Sequence, residues 1–172
     1  MGDRGSGVTM FTRTSDSCVA RFGEAEATVL HAVLADLVAL LAEDLDRTDP
    51  VVARLFPDTY REDPAGSAEL RRYTEDDLRS AKLEAAMTLL DTLPQTGGQV
   101  SLGEEQAAAW LRALTDVRLT LGLRLDITDD TDLIAAIDDA VLSDPMSPRA
   151  GQLSVYAYLT FLQESLIAAL AG

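Results

Sequence analysis

The chain has 172 residues, of which 47% are hydrophobic and 25% are charged, and these values are typical of one globular domain that buries its own core. Its 29 acidic residues outnumber its 14 basic residues, which gives a formal net charge of -15 at pH 7. Because so strong a negative charge repels phosphate backbones and anionic lipid headgroups, we expect neither nucleic acid nor a membrane surface as a partner.

The cysteine count and the N-terminus bear on the cellular compartment. Cys18 is the only cysteine, so the chain has neither an internal disulfide nor a multi-cysteine metal site, as is usual in a reducing compartment. No apolar run reaches about 18 residues, and the first residues, MGDRGSGV, lack the apolar region of a signal peptide. We therefore expect a cytoplasmic protein that is neither secreted nor membrane-spanning.

The N-terminal region predicts a short β-hairpin. Residues 1–7 are small and polar and are expected to be flexible. The segments VTMFTR (residues 8–13) and CVARF (residues 18–22) flank a Thr-Ser-Asp-Ser turn, so we predict a hairpin over residues 8–22. An isolated hairpin is only marginally stable in water, and this one is expected to lie on a helical bundle formed by residues 24–172.

The first long helix is predicted over residues 24–46. Seven apolar residues recur there on one face at helical spacing. They are Leu30, Val33, Leu34, Leu37, Val38, Leu41 and Leu45. Asp44 lies at the edge of the same face, so a carboxylate is expected close to the core.

A connector and a second long helix follow. Prolines at positions 50, 57 and 64 leave room for only a short helical piece in VVARLF. The second long helix is predicted to begin after Thr74, whose spacing to Asp77 resembles a capping arrangement, and to end near residue 93. Its apolar face consists of leucines and alanines, with Lys82 near the middle.

A third long helix is predicted over residues 101–126, where Ser101 and Glu104 have the spacing of a capping box. Its apolar stripe contains Trp110, the only tryptophan, and also Arg118, whereas Asp116 is predicted to point the opposite way. A basic side chain is thus expected among apolar ones, as in the second helix.

Two further helices are predicted after the third. Residues 132–142 form a short acidic helix that ends before Pro145. The last helix is predicted to begin with Ser147 as its cap and Pro148 in its first turn, and to continue to about residue 169. Gln163 lies on its broad apolar face.

Four long helices with apolar stripes, together with one short N-terminal hairpin, indicate a mainly α fold: a helical bundle that forms a single domain over residues 1–172. Polar side chains on the apolar faces of the four helices are predicted to meet inside the bundle. This candidate buried polar cluster is Asp44, Lys82, Arg118 and Gln163, with Trp110 as a wall. Two interpretations remain open: cross-helix pairs that fix the register of the helices, or a pocket that binds a small anion.

No sequence motif indicates a reaction, a cofactor or a metal. Residues 44–48 match a D-x-D-x-T phosphatase pattern, but that pattern belongs after a buried strand and here it follows a helical segment. The lone histidine, His31, has no second histidine or cysteine cluster with which to bind zinc. With no catalytic, cofactor-binding or metal-binding residues assigned, we interpret the chain as non-enzymatic.

Four segments resemble a domain-of-unknown-function family of actinobacteria. They are LFPDTYREDP (residues 55–64), YTEDDLRSAKL (73–83), WLRALTDVRLTLGLRLDI (110–127) and YLTFLQESL (158–166), so the resemblance covers nearly the whole chain. Lys82, Trp110, Arg118 and Gln163 are among the resembling positions, whereas Thr115 departs from an asparagine that is more familiar there. The family has no defined functional residues, so the resemblance assigns none.

The resemblance implies a biological context, because genes of this family commonly lie beside the gene for the Clp protease adaptor. It implies an interaction or regulatory module in Clp-dependent protein turnover, with the Clp adaptor or a protease component as its partner. The negative charge agrees with this hypothesis, since an acidic surface attracts a basic patch on a partner. The alternative hypothesis is a bundle that binds a small anion or metabolite, with or without catalysis, in a pocket formed by Lys82 and Arg118.

Overall fold

A computed structural model describes residues 9–57 and 62–172. Helices dominate this part of the chain, as the sequence predicts, and three short strands accompany them. In chain order the elements are β1 (Thr12–Arg13), β2 (Cys18–Phe22), α1 (Glu24–Ala42), α2 (Pro50–Leu55), α3 (Pro64–Thr92), β3 (Gly98–Leu102), α4 (Glu104–Arg124), α5 (Leu133–Ser143) and α6 (Pro148–Ala171). The segment expected to be flexible, residues 1–7, lies outside the described residues.

The strands form one antiparallel sheet in the order β1-β2-β3, with β2 in the middle. The predicted hairpin is only part of this sheet, because β3 pairs with β2 from Cys18, opposite Leu102, to Phe22, opposite Gly98. Val100 and Leu102 alternate with polar residues and are buried, which is the pattern of a strand with one covered face. The sequence interpretation missed β3 because it assigned these residues to a turn and a helix start.

The start of α4 differs from its prediction for the same reason. Ser101 belongs to β3, and the N-cap is Gly103, whose backbone N–H donates to Oε1 of Gln106 at 3.1 Å. The predicted capping box of Ser101 and Glu104 is wrong, because the strand carries the chain to Leu102 before the helix begins.

α1 ends earlier than predicted. Its last residue is Ala42, and the C-cap Glu43 has an extended backbone with φ -83° and ψ 169°. The chain has therefore left the helix before Asp44, and helical spacing no longer fixes the direction of that side chain.

α3 is longer than predicted and has no break. The helix start predicted at Thr74 is wrong, because the Thr74 hydroxyl donates to the Leu70 carbonyl at 3.0 Å within a continuous helix. The true N-cap is Asp63, whose carboxylate accepts from the Gly66 N–H at 3.0 Å.

α4 is the central helix of the bundle, since it contacts α1, α2, α3 and α6 as well as β3. Trp110 is fully buried, and its ring packs against Phe11 and Phe22 at centroid distances of 5.5 and 5.7 Å. The sheet thus lies on the bundle through aromatic side chains, and this burial stabilises strands that would be marginal alone.

α1 and α6 are long and apolar enough to cross a membrane, although the sequence contains no unbroken apolar run of about 18 residues. Core helices of a bundle share this property, because one face of each must be apolar. Seven leucines of these two helices are fully or almost fully buried in the core. They are Leu30, Leu34, Leu37, Leu41, Leu159, Leu162 and Leu166.

α2 and α5 are shorter helices beside the four long ones. α5 packs on α6, and none of its residues is buried. The predicted fold class is therefore correct in being mainly α and incomplete in its details. The described residues form more than four helices and a three-stranded sheet in place of a hairpin.

Candidate functional site

The structure does not bring the five residues of the predicted cluster together. Asp44 is exposed and lies beyond the end of α1, so the prediction that it joins an interior cluster is wrong. The physical reason is the early end of the helix, which releases Asp44 from the apolar face.

Trp110 belongs to the core and is not the wall of a pocket. Its Nε1–H donates to the Thr92 hydroxyl at 2.8 Å, and this bond satisfies the one polar group of the indole. With its ring against Phe11 and Phe22, Trp110 joins α4 to α3 and to the sheet.

Lys82 and Asp116 form an ion pair between α3 and α4. The Lys82 Nζ lies 2.8 Å from the Asp116 Oδ1, and the two side chains are 16% and 8% exposed. Asp116 was predicted to point away from the apolar stripe, but α4 is covered on more than one side and the carboxylate is buried. Each charge is thus neutralised by the other.

Arg118 is held by neutral groups on α6. Its Nε–H donates to the Thr160 hydroxyl at 3.1 Å, and its Nη1 donates to the Gln163 Oε1 at 2.7 Å. The guanidinium carbon lies 5.5 Å from the centre of the Tyr156 ring, in the geometry of a cation–π contact. Within residues 9–57 and 62–172 Arg118 forms no salt bridge, so no carboxylate of this part of the chain pairs with its positive charge.

Gln163 fixes the orientation of the Arg118 guanidinium. Its amide Nε2 donates to the Thr115 hydroxyl at 2.7 Å, so its Oε1 faces Arg118. One side of the guanidinium is therefore tied to α6, while Nη2 forms no hydrogen bond within the described chain and is not buried. The open end of Arg118 is positioned to donate to an anionic group.

Arg118 lines an open groove of about 340 Å³, which we call the α4 groove. Its apolar walls include Leu119, Leu123 and Ile127, and no acidic residue is among the described residues that line it. Tyr156 and Arg54 also line it.

The α4 groove depends on a close approach of two helices. Gly122 permits it, since a Cβ at this position would lie 3.1 Å from Cε2 of Tyr156. A larger residue at Gly122 would push away the ring over which Arg118 lies.

A second depression of about 350 Å³, which we call the α3–α4 cleft, adjoins the groove at Thr115. Leu78, Leu111 and the ion pair of Lys82 and Asp116 line it. Among the described residues, the linings of the groove and the cleft together contain four basic residues and one acidic residue. These are Arg54, Lys82, Arg112, Arg118 and Asp116. On a chain of net charge -15, this face of α4 is locally basic.

The face contains no constellation for catalysis. Over the part of the chain that the structure describes, no group of histidine, cysteine and carboxylate side chains is arranged to hold a metal ion. Cys18 is 1% exposed, lies in the sheet and does not line this face. The chemistry that the arrangement offers is recognition of an anion, with apolar contacts around it.

Sequence reasoning found Lys82, Arg118 and Gln163, of which Arg118 and Gln163 are partners, but it missed Asp116, Tyr156 and Thr160. Tyr156 and Thr160 precede Gln163 by seven and three residues, so helical spacing already places them on one face. That spacing is the signal that identifies the Arg118 site from the sequence. The role of Asp116 had no such signal, because only the packing of α3 on α4 buries it.

Comparison with known proteins gives both a family and relatives. A family model described as a domain of unknown function (DUF2017) matches residues 8–170. The oxidative stress regulator AosR of Mycobacterium tuberculosis and that of Mycobacterium bovis are each 36% identical to the chain over 137 residues. The match covers 72% of this chain and 59% of each relative, so the chain spans little more than half the length of these curated relatives. No solved structure matches the chain significantly.

Proposed function

Since the chain belongs to the DUF2017 family, we propose that it is a regulatory protein that acts by binding a partner and not by catalysing a reaction. The observation that carries this proposal is the geometry of Arg118. A guanidinium tied to neutral groups on one side, open on the other and lying in a groove with apolar side chains and a second arginine is suited to recognising a carboxylate. Among the described residues of the groove lining there is no histidine, cysteine or carboxylate to act as a nucleophile or general base.

The relatives support the regulatory part of the proposal, since they carry the name of an oxidative stress regulator. Some proteins respond to oxidation by forming an intrachain disulfide, which needs two cysteines. These 172 residues contain one, Cys18, and it is buried. We therefore assign regulation in this chain to partner binding and not to a disulfide of its own.

The proposed partner is a protein of Clp-dependent turnover, either the Clp adaptor or a protease component, and the proposed location is the cytoplasm. The family resemblance motivates this choice. An acidic side chain of the partner enters the α4 groove and accepts charge-assisted hydrogen bonds from the free end of the Arg118 guanidinium. The net charge of -15 makes nucleic acid and anionic membranes unfavourable partners.

A small anion is the second candidate ligand of the same groove. It is favoured by the groove volume of about 340 Å³, which is within the range of small-molecule sites. A free dicarboxylate would bind to Arg118 and to Arg54, the second arginine of the lining.

The decisive variant is Arg118→Gln, with Arg21→Gln as a control of equal charge change. Arg21 is exposed on β2, away from the groove lining. We expect Arg118→Gln to weaken binding to the purified Clp adaptor by about tenfold, or about 1.4 kcal/mol, because one charge-assisted contact is lost. Titration calorimetry measures this difference, and Arg21→Gln should bind as the wild type does.

Further arms of the experiment separate the two ligand classes and guard against misfolding. Succinate and inorganic phosphate are added in a thermal unfolding assay, where a ligand at 100 times its Kd stabilises by roughly 2.7 kcal/mol. A shift that Arg118→Gln abolishes favours the small anion. Arg54→Gln changes an exposed arginine of the same groove, so a loss of binding in this variant cannot come from unfolding. Equal adaptor binding by all variants, with no response to either anion, would refute the proposed site.

A further inference from the structure

α5 presents an apolar face that no other described element covers. The helix packs on α6 through its half-buried face. On the other side Ile134 is 75% exposed and Leu142 is 84% exposed, with Val141 also exposed. Met146, just beyond the helix, is 90% exposed. We call Ile134, Asp138, Val141, Leu142 and Met146 the α5 surface.

The spacing of these residues makes one continuous stripe. Ile134, Asp138, Val141 and Leu142 are separated by four, three and one residues, so their side chains lie on one side of the helix. Scattered apolar residues on a surface need no explanation, but Ile134, Val141 and Leu142 are large, exposed and on one side of the same helix, as residues of an interaction site are. Since α5 buries none of its residues in this chain, the stripe is available to a partner.

The charges around the stripe specify the partner. Residues 126–146 contain seven aspartates and no lysine or arginine. All seven are exposed. Asp138 lies within the apolar stripe itself, and no salt bridge or hydrogen bond of its side chain occurs within the described chain.

A second copy of this chain is a poor occupant, because it would set Asp138 and its neighbouring carboxylates against the same carboxylates of the other copy. An anionic membrane is excluded by the same repulsion. A basic amphipathic helix satisfies both features, since its apolar side chains cover Ile134 and Leu142 while its lysines or arginines meet Asp138 and the flanking carboxylates.

We propose that the α5 surface is the docking site for a basic amphipathic helix of a partner protein. This inference rests on the proposed function in one respect, that the chain acts by binding a protein. It names a different surface from the α4 groove and the opposite charge on the partner. A partner with both a basic helix and an acidic side chain would engage the two sites together.

The test uses the full chain and a fluorescein-labelled peptide of leucine and lysine at helical spacing, followed by fluorescence anisotropy. We expect the double variant Ile134→Ser, Leu142→Ser to lose at least tenfold in affinity. Neither side chain is buried, so the fold is retained, and circular dichroism verifies this. Ile167→Ser is the matched control. Ile167 is an apolar side chain that is 50% exposed, and it lies near the C-terminal end of α6, outside the α5 surface.

The charge argument has its own matched pair. Asp138→Asn and Asp91→Asn change the net charge equally, and both aspartates are exposed. Only Asp138→Asn should weaken binding, and a peptide of leucine and glutamate should bind no variant. Failure of the basic peptide to bind the wild type, or equal binding by the α5 and control variants, would overturn the inference. Arg118→Gln should bind this peptide normally, so failure at α5 and failure at the α4 groove are distinguishable.

Discussion

At the scale of single residues, the two basic side chains predicted to lie among apolar ones are stabilised by different kinds of partner. Lys82 is neutralised by a buried carboxylate, whereas Arg118 is held by a hydroxyl and an amide. Removing one member of the ion pair leaves a buried charge without a partner. Removing a neutral partner of Arg118 instead loses one hydrogen bond and leaves no buried charge of opposite sign behind. This difference explains why we treat the ion pair as structural and Arg118 as the binding residue.

The ion pair makes a prediction about stability. We expect Lys82→Met to lower the free energy of unfolding by roughly 1–3 kcal/mol, because Asp116 is then buried without a partner. The double variant Lys82→Met, Asp116→Leu should recover to within about 1 kcal/mol of the wild type, since apolar residues of similar volume replace the pair.

Urea unfolding at neutral pH measures both values. The control is Arg112→Met, because Arg112 is exposed on the same face without a salt bridge among the described residues, and it should change stability by less than about 0.5 kcal/mol. A double variant as unstable as Lys82→Met would contradict the pairing.

Tyr158 supplies a prediction about pH. Burial, and after it the charge of the neighbouring Glu26 carboxylate, raise the pKa of Tyr158 above its ordinary value of 10.0. The folded protein therefore keeps the phenol proton at a pH at which the unfolded chain releases it. Stability is full below the unfolded pKa and falls as the pH rises above it.

We expect Tyr158→Phe to reduce this alkaline loss, because phenylalanine has no proton to release. The wild type should lose stability above about pH 10 by less than the roughly 1.4 kcal/mol per pH unit of a fully protected group, since Tyr158 is partly exposed. Tyr73→Phe is the control, because Tyr73 is 75% exposed. Urea unfolding on both sides of that pH compares the variants, and parallel curves for all three proteins would disprove the assignment.

At the scale of elements, the turn before β3 decides how the sheet meets the bundle. Gly97 has φ +85°, a left-handed conformation that other residues rarely adopt. A Cβ there would lie 2.6 Å from the Phe22 carbonyl oxygen and 2.8 Å from the Gly23 carbonyl carbon, so main chain blocks it. The close approach of this turn to the end of β2 requires glycine.

Two glycine substitutions should therefore act in opposite directions. Gly97→Ala should destabilise the chain by roughly 1–3 kcal/mol, because the turn must shift or strain. Gly151→Ala should stabilise it by up to about 1 kcal/mol, because Gly151 lies in α6 and a Cβ there would have no atom within 4 Å. Thermal unfolding of both variants tests the pair. Equal effects would show that the turn tolerates a side chain.

At the scale of the whole molecule, the two candidate surfaces divide the charge of the chain. The face of α4 with the groove and the cleft is locally basic, while the α5 surface lies in a segment, residues 126–146, that has seven aspartates and no lysine or arginine. A uniformly negative surface would attract a basic partner equally from every side and would not orient it. Two patches of opposite sign instead allow a partner to be oriented on the molecule.

The sequence by itself determined the mainly α fold, the apolar faces of the long helices and the presence of Lys82, Arg118 and Gln163 on those faces. Local patterns suffice for this, since helical spacing and caps depend on residues a few positions apart. Ser147 and Pro148 at the start of α6 were predicted correctly for that reason.

Only the tertiary structure decided which polar residues meet and how the sheet is completed. β3 pairs with a strand about 80 residues earlier in the chain. Asp116 is buried because α3 packs on α4, and Asp44 is exposed because α1 ends two residues before it. These outcomes depend on contacts between distant segments, whose free energy no short stretch of sequence contains.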